Sequence, residues 1–171
     1  PHHGRSHDYR RQLDLRTGIA EVSYTADGVR YRRQYLAHLP CDLILMRLTA
    51  DRPFGGRFRL DRVEDPDCSL HHTVDDGRIA MEGQFPEGVH FRVEARLHVR
   101  RGQVTTDGDA IDVRDAEEIL LAVDIGVSAR GEPPHSLPHT DWDRLIDEHL
   151  GAYRPLYEAM RLELDLPEND L

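Results

Sequence analysis

Carboxylates come first among residues able to do chemistry, because the chain of 171 residues carries 32 of them. Glu21, Glu82, Glu87, Glu94 and Asp124 each fall on or beside a strand-like segment. Hydrolysis of a glycosidic bond uses two such groups roughly 5 to 9.5 Å apart across a sugar cleft. Outward alternation along strands accounts for all of them except Asp124, and no pair is singled out by spacing. Asp124 interrupts the apolar run Leu120 to Val127, so its carboxylate must be satisfied there; an edge or strand-end position is the expected solution.

Eleven histidines raise the question of a metal. His2, His3 and His7 lie near one end, and His71 and His72 are adjacent on a strand-like segment, so they point to opposite faces. No His-x-His or His-Glu-x-x-His spacing occurs, and solvated histidines are the expectation. Cys41 and Cys68 stand in unrelated contexts without Cys-x-x-Cys spacing, which indicates neither a zinc site nor a disulfide framework. Gly-x-Ser-x-Gly, P-loop and dinucleotide motifs are missing too. The residues by themselves therefore assign no catalytic residue, no metal ligand and no cofactor, and leave any substrate-binding residues unknown.

A formal net charge of −10 argues against a nucleic-acid partner, which needs a concentrated positive patch. Every Lys-or-Arg position is arginine, and these fall at outward strand positions. No apolar run approaches the ~20 residues of a membrane-spanning helix, and nothing resembles a signal peptide, so no membrane partner is expected. Two unpaired thiols suit a reducing compartment; the sequence gives no other address. With 39% hydrophobic residues the chain can bury one sizeable core. Its start at Pro1 and its acidic end, Leu166 to Leu171, lead us to expect a piece of a longer polypeptide.

The elements that must position these groups are mostly strands. Asp27-Gly28 supplies two positive-φ positions for a type I′ turn. Ala26 then faces Val29, Tyr24 faces Tyr31, Val22 faces Arg33 and Ala20 faces Tyr35, giving one apolar face. Thr25 with Arg30, Ser23 with Arg32 and Glu21 with Gln34 make the other face polar. Tyr9 to Leu15 precedes this hairpin, and the apolar Leu43 to Leu48 follows it as a strand covered on both sides. Phe58 and Leu60 mark another strand, closed by the loop Glu64 to Asp67. Asp76-Gly77 turns a second hairpin from Leu70 to Phe85, and Asp107-Gly108 a third from Gln103 to Val113. Val89 to Val99 alternates without error, and Ile119 to Ile125 is apolar. Strands at such spacing without interleaved helices mean stacked antiparallel sheets.

The pattern changes after Gly126. Gly131 to Pro138 is a Pro- and Gly-bearing linker, and Thr140-x-x-Asp143 reads as a capping-box-like helix start. Trp142, Leu145, Ile146, His149, Leu150 and Tyr153 form an apolar stripe at helical spacing. Pro155 is expected to kink or restart this helix, and Arg161 to Asp165 returns to strand-like alternation.

The run from Tyr9 to Pro40, with Tyr9-Arg-Arg-Gln-Leu-Asp-Leu15, Asp27-Gly-Val-Arg-Tyr31 and then Leu45-Met-Arg-Leu-Thr-Ala-Asp-Arg-Pro53, resembles the N-terminal domain of glycoside hydrolase family 95. That family's best-known members are α-L-fucosidases. His149 to Tyr157 and Arg161 to Asp165 look like its linker helix and the short strand after it. The resemblance implies a mainly β fold, an antiparallel β-supersandwich with a C-terminal linker helix. It implies a division into residues 1–128, a sandwich truncated at its start, and residues 129–171, a linker leading to an (α/α)6 catalytic barrel absent from this chain. The family's catalytic residues lie on that barrel, so none maps here.

Two readings follow. In the first, the chain is the non-catalytic accessory sandwich of a fucosidase-like enzyme, its partner being the barrel and its ultimate substrates fucosylated or related glycans. In the second, it is a free-standing carbohydrate-binding or interaction module, with Trp142, Tyr31 and Tyr35 as the aromatics to stack on sugar. The Trp142 to Tyr153 stripe, without a barrel to cover it, is expected to drive self-association unless it folds back on the sandwich.

Overall fold

The computed structural model describes residues 6–128 and 135–160. Among these residues nine strands form one antiparallel sheet: β1 (Ser6–Asp14), β2 (Ile19–Ala26), β3 (Val29–His38), β4 (Leu43–Arg59), β5 (Ser69–Asp75), β6 (Arg78–Gln84), β7 (His90–Arg100), β8 (Gln103–Asp107) and β9 (Ala110–Ser128). A helix, α1 (Trp142–Glu158), follows. The sheet runs β1-β2-β3-β4-β9-β7-β6-β5, with β8 alongside β9.

The first hairpin has the register expected from its turn, from Ala26 opposite Val29 to Ala20 opposite Tyr35, and Asp27 and Gly28 both have positive φ. Asp76-Gly77 likewise joins Asp75 to its partner Arg78. The third hairpin differs by one residue. Asp107 pairs with Ala110, so Gly108-Asp109 is the loop, because the single positive-φ position falls on Gly108.

Two strands are longer than the apolar runs suggested. Leu43 to Leu48 and Phe58 belong to the same strand, as do Ala110 to Val113 and Ile119 to Ile125. β4 and β9 pair along both halves, with irregular register between Thr49 and Gly56 and a positive φ at Asp115. Pro53 lies in this irregular stretch, where its missing N–H costs the ladder least. The backbones crowd at the bend: a Cβ on Gly55 would lie 2.4 Å from the Val113 carbonyl oxygen, and one on Gly102 2.5 Å from that of Arg114. Pro53 with Gly55-Gly56 in β4, and the charged run Arg114 to Glu118 in β9, read locally as breaks, which is why sequence divided each strand in two.

The bend creates the two layers. Phe54, Ile111 and Val113 from the far halves of β4 and β9 pack on Ile79, Ala95 and Leu97 from β6 and β7. Phe54 also meets Tyr31 edge-on, with centroids 6.3 Å apart. The sandwich is thus one sheet folded over itself. On the other face, Leu36, Leu43, Leu45, Leu120 and Ala122 pack under Trp142 and Leu145 of α1. Neighbouring residues of β9 feed opposite cores, Ile119 and Leu121 one and Leu120 and Ala122 the other, as a continuous apolar run requires.

The stripe of α1 therefore folds back on the sheet, which removes the ground for the expected self-association. Its cap is Asp141 rather than Thr140: the Asp141 carboxylate accepts from the Asp143 and Arg144 amides. Pro155 does not break the helix, which runs through it to Glu158. It sits in the last, exposed turn, where the one bond it removes costs least. The expected strand at Arg161 to Asp165 lies outside the described residues.

Candidate functional site

Sheet pairing does bring two carboxylates together. Glu94 on β7 stands directly opposite Asp124 on β9. Both are buried, and Glu94 is only 1% exposed. Alternation had put Glu94 on the outer face of β7, and it lies there; what buries it is a cover of arginine. Glu94 Oε2 accepts from Arg78 Nε at 2.8 Å and from Arg92 Nη2, and Oε1 accepts from Arg96 Nε at 2.6 Å. Asp75 and Glu82 extend the network from β5 and β6, at 3.2 Å from Arg78 and 3.7 Å from Arg92.

These contacts decide what the pair can do. Burial alone would raise the pKa of Glu94, but the bonds from Arg96 and Arg78 and the charge of Arg92 outweigh it, so the carboxyl titrates below its ordinary value. A general acid needs the opposite shift. Asp124 is engaged as well: the His135 backbone N–H reaches it at 3.3 Å and His135 Nδ1 at 2.8 Å. Asp124 thus sits towards the end of β9, one residue past the last β4 pair, Ile44 with Val123, and His135 of the linker satisfies it. The pair is a structural pin, with no open side for a sugar and water.

The remaining acidic candidates scatter. Glu21 takes Arg32 at 2.6 Å, Glu82 is exposed, and Glu87 lies in the exposed turn before β7. His71 and His72 are exposed on β5, opposite Glu82 and Met81. Among the described residues no three His, Cys, Asp or Glu side chains converge as a metal set. Cys41 and Cys68 are free and half-buried, and burial raises the Cys41 thiol, so it is a poor thiolate nucleophile.

Of the three aromatics considered for sugar stacking, Trp142 is 5% exposed, closed off beneath the Arg47 guanidinium. Tyr31 is held between Tyr24, stacked at 5.2 Å, and Phe54. Tyr35 lines a 620 Å³ cleft on the β1–β3 wing with Tyr9, Arg11, Val22, Tyr24 and Arg33. Arg33 lies over the Tyr24 ring and donates to its hydroxyl at 2.6 Å. Two buried histidines that sequence did not mark as a pair, His38 and His149, face each other where α1 meets the sheet, with ring centroids 6.0 Å apart. The only sequence signal was His149 on an otherwise apolar helical stripe.

Residues 1–131 match the family model described as glycosyl hydrolase family 65, N-terminal domain. The chain belongs to this family. It is also 36% identical over 143 residues to α-L-fucosidase 2 of Arabidopsis thaliana, a match covering 81% of this chain and 16% of that protein. Its fold is similar to that of a putative kojibiose phosphorylase from the human microbiome, with a TM-score of 0.63 and 10% identity over 90% of this chain and 25% of the other. The chain thus spans a quarter or less of the relatives it matches. The recognition of a glycoside hydrolase N-terminal sandwich holds, with the family model numbered 65 where the residue pattern resembled family 95.

Proposed function

We propose that this chain is the non-catalytic N-terminal part of an α-L-fucosidase-like glycoside hydrolase of the family 95 type. In this reading residues 1–128 form its sandwich, and residues 129–171 the linker to a catalytic (α/α)6 barrel that acts on fucosylated or related glycans. The observation that carries this reading is the similarity to α-L-fucosidase 2 along 81% of the chain. The chemistry agrees, since the buried carboxylate pair Glu94 and Asp124 is locked by arginines and His135. Surfaces suited to a larger neighbour support it too. Ile44, Ile125 and Val127 share one face where β4 and β9 lack cover, Val127 being 70% exposed, and Leu156, Tyr157 and Met160 are exposed at the end of α1.

The test is release of fucose from a chromogenic α-L-fucoside, comparing this segment with the polypeptide read through from the same genomic locus past Leu171. Activity confined to the longer product is expected. Activity in neither would favour a free-standing carbohydrate-binding module, for which the Tyr9, Tyr35, Arg11 and Arg33 cleft is the surface to examine.

A further inference from the structure

We propose that His38 and His149 form an acid-released latch: as neutral rings they hold α1 on the sheet, and protonation undocks the helix. The latch is reciprocal across the boundary. His38, at the end of β3, reaches the Leu145 carbonyl of α1 at 3.0 Å through Nε2. His149, on α1, reaches the Thr17 carbonyl of the β1–β2 turn at 3.2 Å through its own Nε2. A carbonyl only accepts, so both rings carry their proton on Nε2. The Leu145 carbonyl is also the one that the helical i→i−4 pattern assigns to the His149 amide, which ties the two residues through one oxygen.

The opposite edges of the rings are dry. His38 is 1% and His149 2% exposed, and both Nδ1 atoms are buried without a hydrogen-bond partner. A second proton would therefore place a charge and an unsatisfied donor in a site that excludes water, 6.0 Å from a like group. Among the described residues no carboxylate hydrogen-bonds to either ring. On α1, Glu148 is engaged by His139 Nε2 and Arg144 Nε, both at 3.1 Å, and Tyr153 stacks on His149 at 5.1 Å while donating to the Leu15 carbonyl. Cys41 stands on the turn after β3, and Arg47 of β4 lies over Trp142.

Burial lowers the pKa of both rings. For His38 this, with the charge of His139 adding to it, outweighs the Leu145 bond and Glu148, which favour charge; for His149 it outweighs the Thr17 bond, with the charge of His38 adding to it. The sign follows. An undocked histidine takes a proton near pH ~6.5, the docked one only at lower pH, so docking is complete above ~6.5 and weakens as pH falls. Each unit of pH between the two values multiplies the undocked fraction by up to about tenfold per histidine.

The chain's single tryptophan, Trp142, reports on docking. Its emission in the 171-residue chain, followed from pH 8 to pH 5, is expected to move reversibly towards that of an exposed indole below pH ~6.5, while strand circular dichroism persists. In the double variant His38→Gln and His149→Gln, which keeps the donors but takes no proton, emission is expected to stay unmoved to pH 5. His139→Gln is expected to leave the transition intact. An indole still buried at pH 5 in the unsubstituted chain overturns the latch, as does a transition that survives in the folded double variant or vanishes in His139→Gln. Should the double variant not fold, NMR titration of the unsubstituted histidines decides. The His38 and His149 ring signals must change with Trp142, and rings that charge while Trp142 stays buried refute the proposal.

Discussion

The two faces of β9 build two different interiors. Ile119 and Leu121 enter a core closed by the folded-over halves of β4 and β9, whose buried members are all apolar. Leu120 and Ala122, one residue away, enter a smaller core under α1 that is bordered by buried His38, His149, Asp124 and Glu94. The first is held by area removed from water and does not depend on protonation. The second depends on charges and hydrogen bonds that arrive from β6, β7, the linker and the helix. One strand thus carries a pH-indifferent core on one side and a titratable seam on the other.

Substitution of a core residue in each region tests this contrast most strongly. Ile111→Ala, in the folded-over core, is expected to lower global stability by about 2–5 kcal/mol, equally at pH 7 and pH 5. Denaturant unfolding at the two pH values measures it, and a loss that changes with pH would erase the distinction. Glu94→Gln is expected to cost about 1.5–3 kcal/mol at pH 7, because three guanidinium groups lose their charged acceptor. Its pH dependence is separate from that of the histidines. The folded-state pKa of Glu94 is depressed, so its contribution is present above the ordinary carboxylate value of ~4.3 and is lost as pH falls through the lower folded value. Unfolding curves from pH 7 to pH 3 should converge for the two proteins, and a constant gap would mean that packing rather than charge is lost. The smallest effect is expected from Asp141→Ala, about 1 kcal/mol at the start of α1. It should appear as faster amide exchange at Asp143 and Arg144 with β9 unchanged, and equal acceleration in the strands would show that helix and sheet open as one unit.

The fold was largely legible. The alternation around Asp27-Gly28 foretold every pair of the first hairpin, and the apolar runs at Leu43 and Ile119 foretold strands, whereas the cover expected on both sides of Leu43 to Leu48 fails at Ile44, which is exposed. The site was much less so. Glu94 looked like one more outward carboxylate, since alternation names a face without saying what will cover it. Asp124 was flagged as needing a partner, yet that partner, His135, lies beyond the end of the strand in the linker.

What sequence alone determined here is whatever a few neighbouring residues enforce: turn positions, strand period, the amphipathic helix, and the pattern shared with glycoside hydrolase N-terminal domains. The tertiary structure decided the rest. It joined and bent β4 and β9, laid α1 on the sheet, gathered three arginines round Glu94 and set His38 against His149. The reason is physical: φ/ψ preferences and side-chain periodicity act within a turn or a strand, whereas the burial and charge state of a group depend on which distant segments exclude water from it.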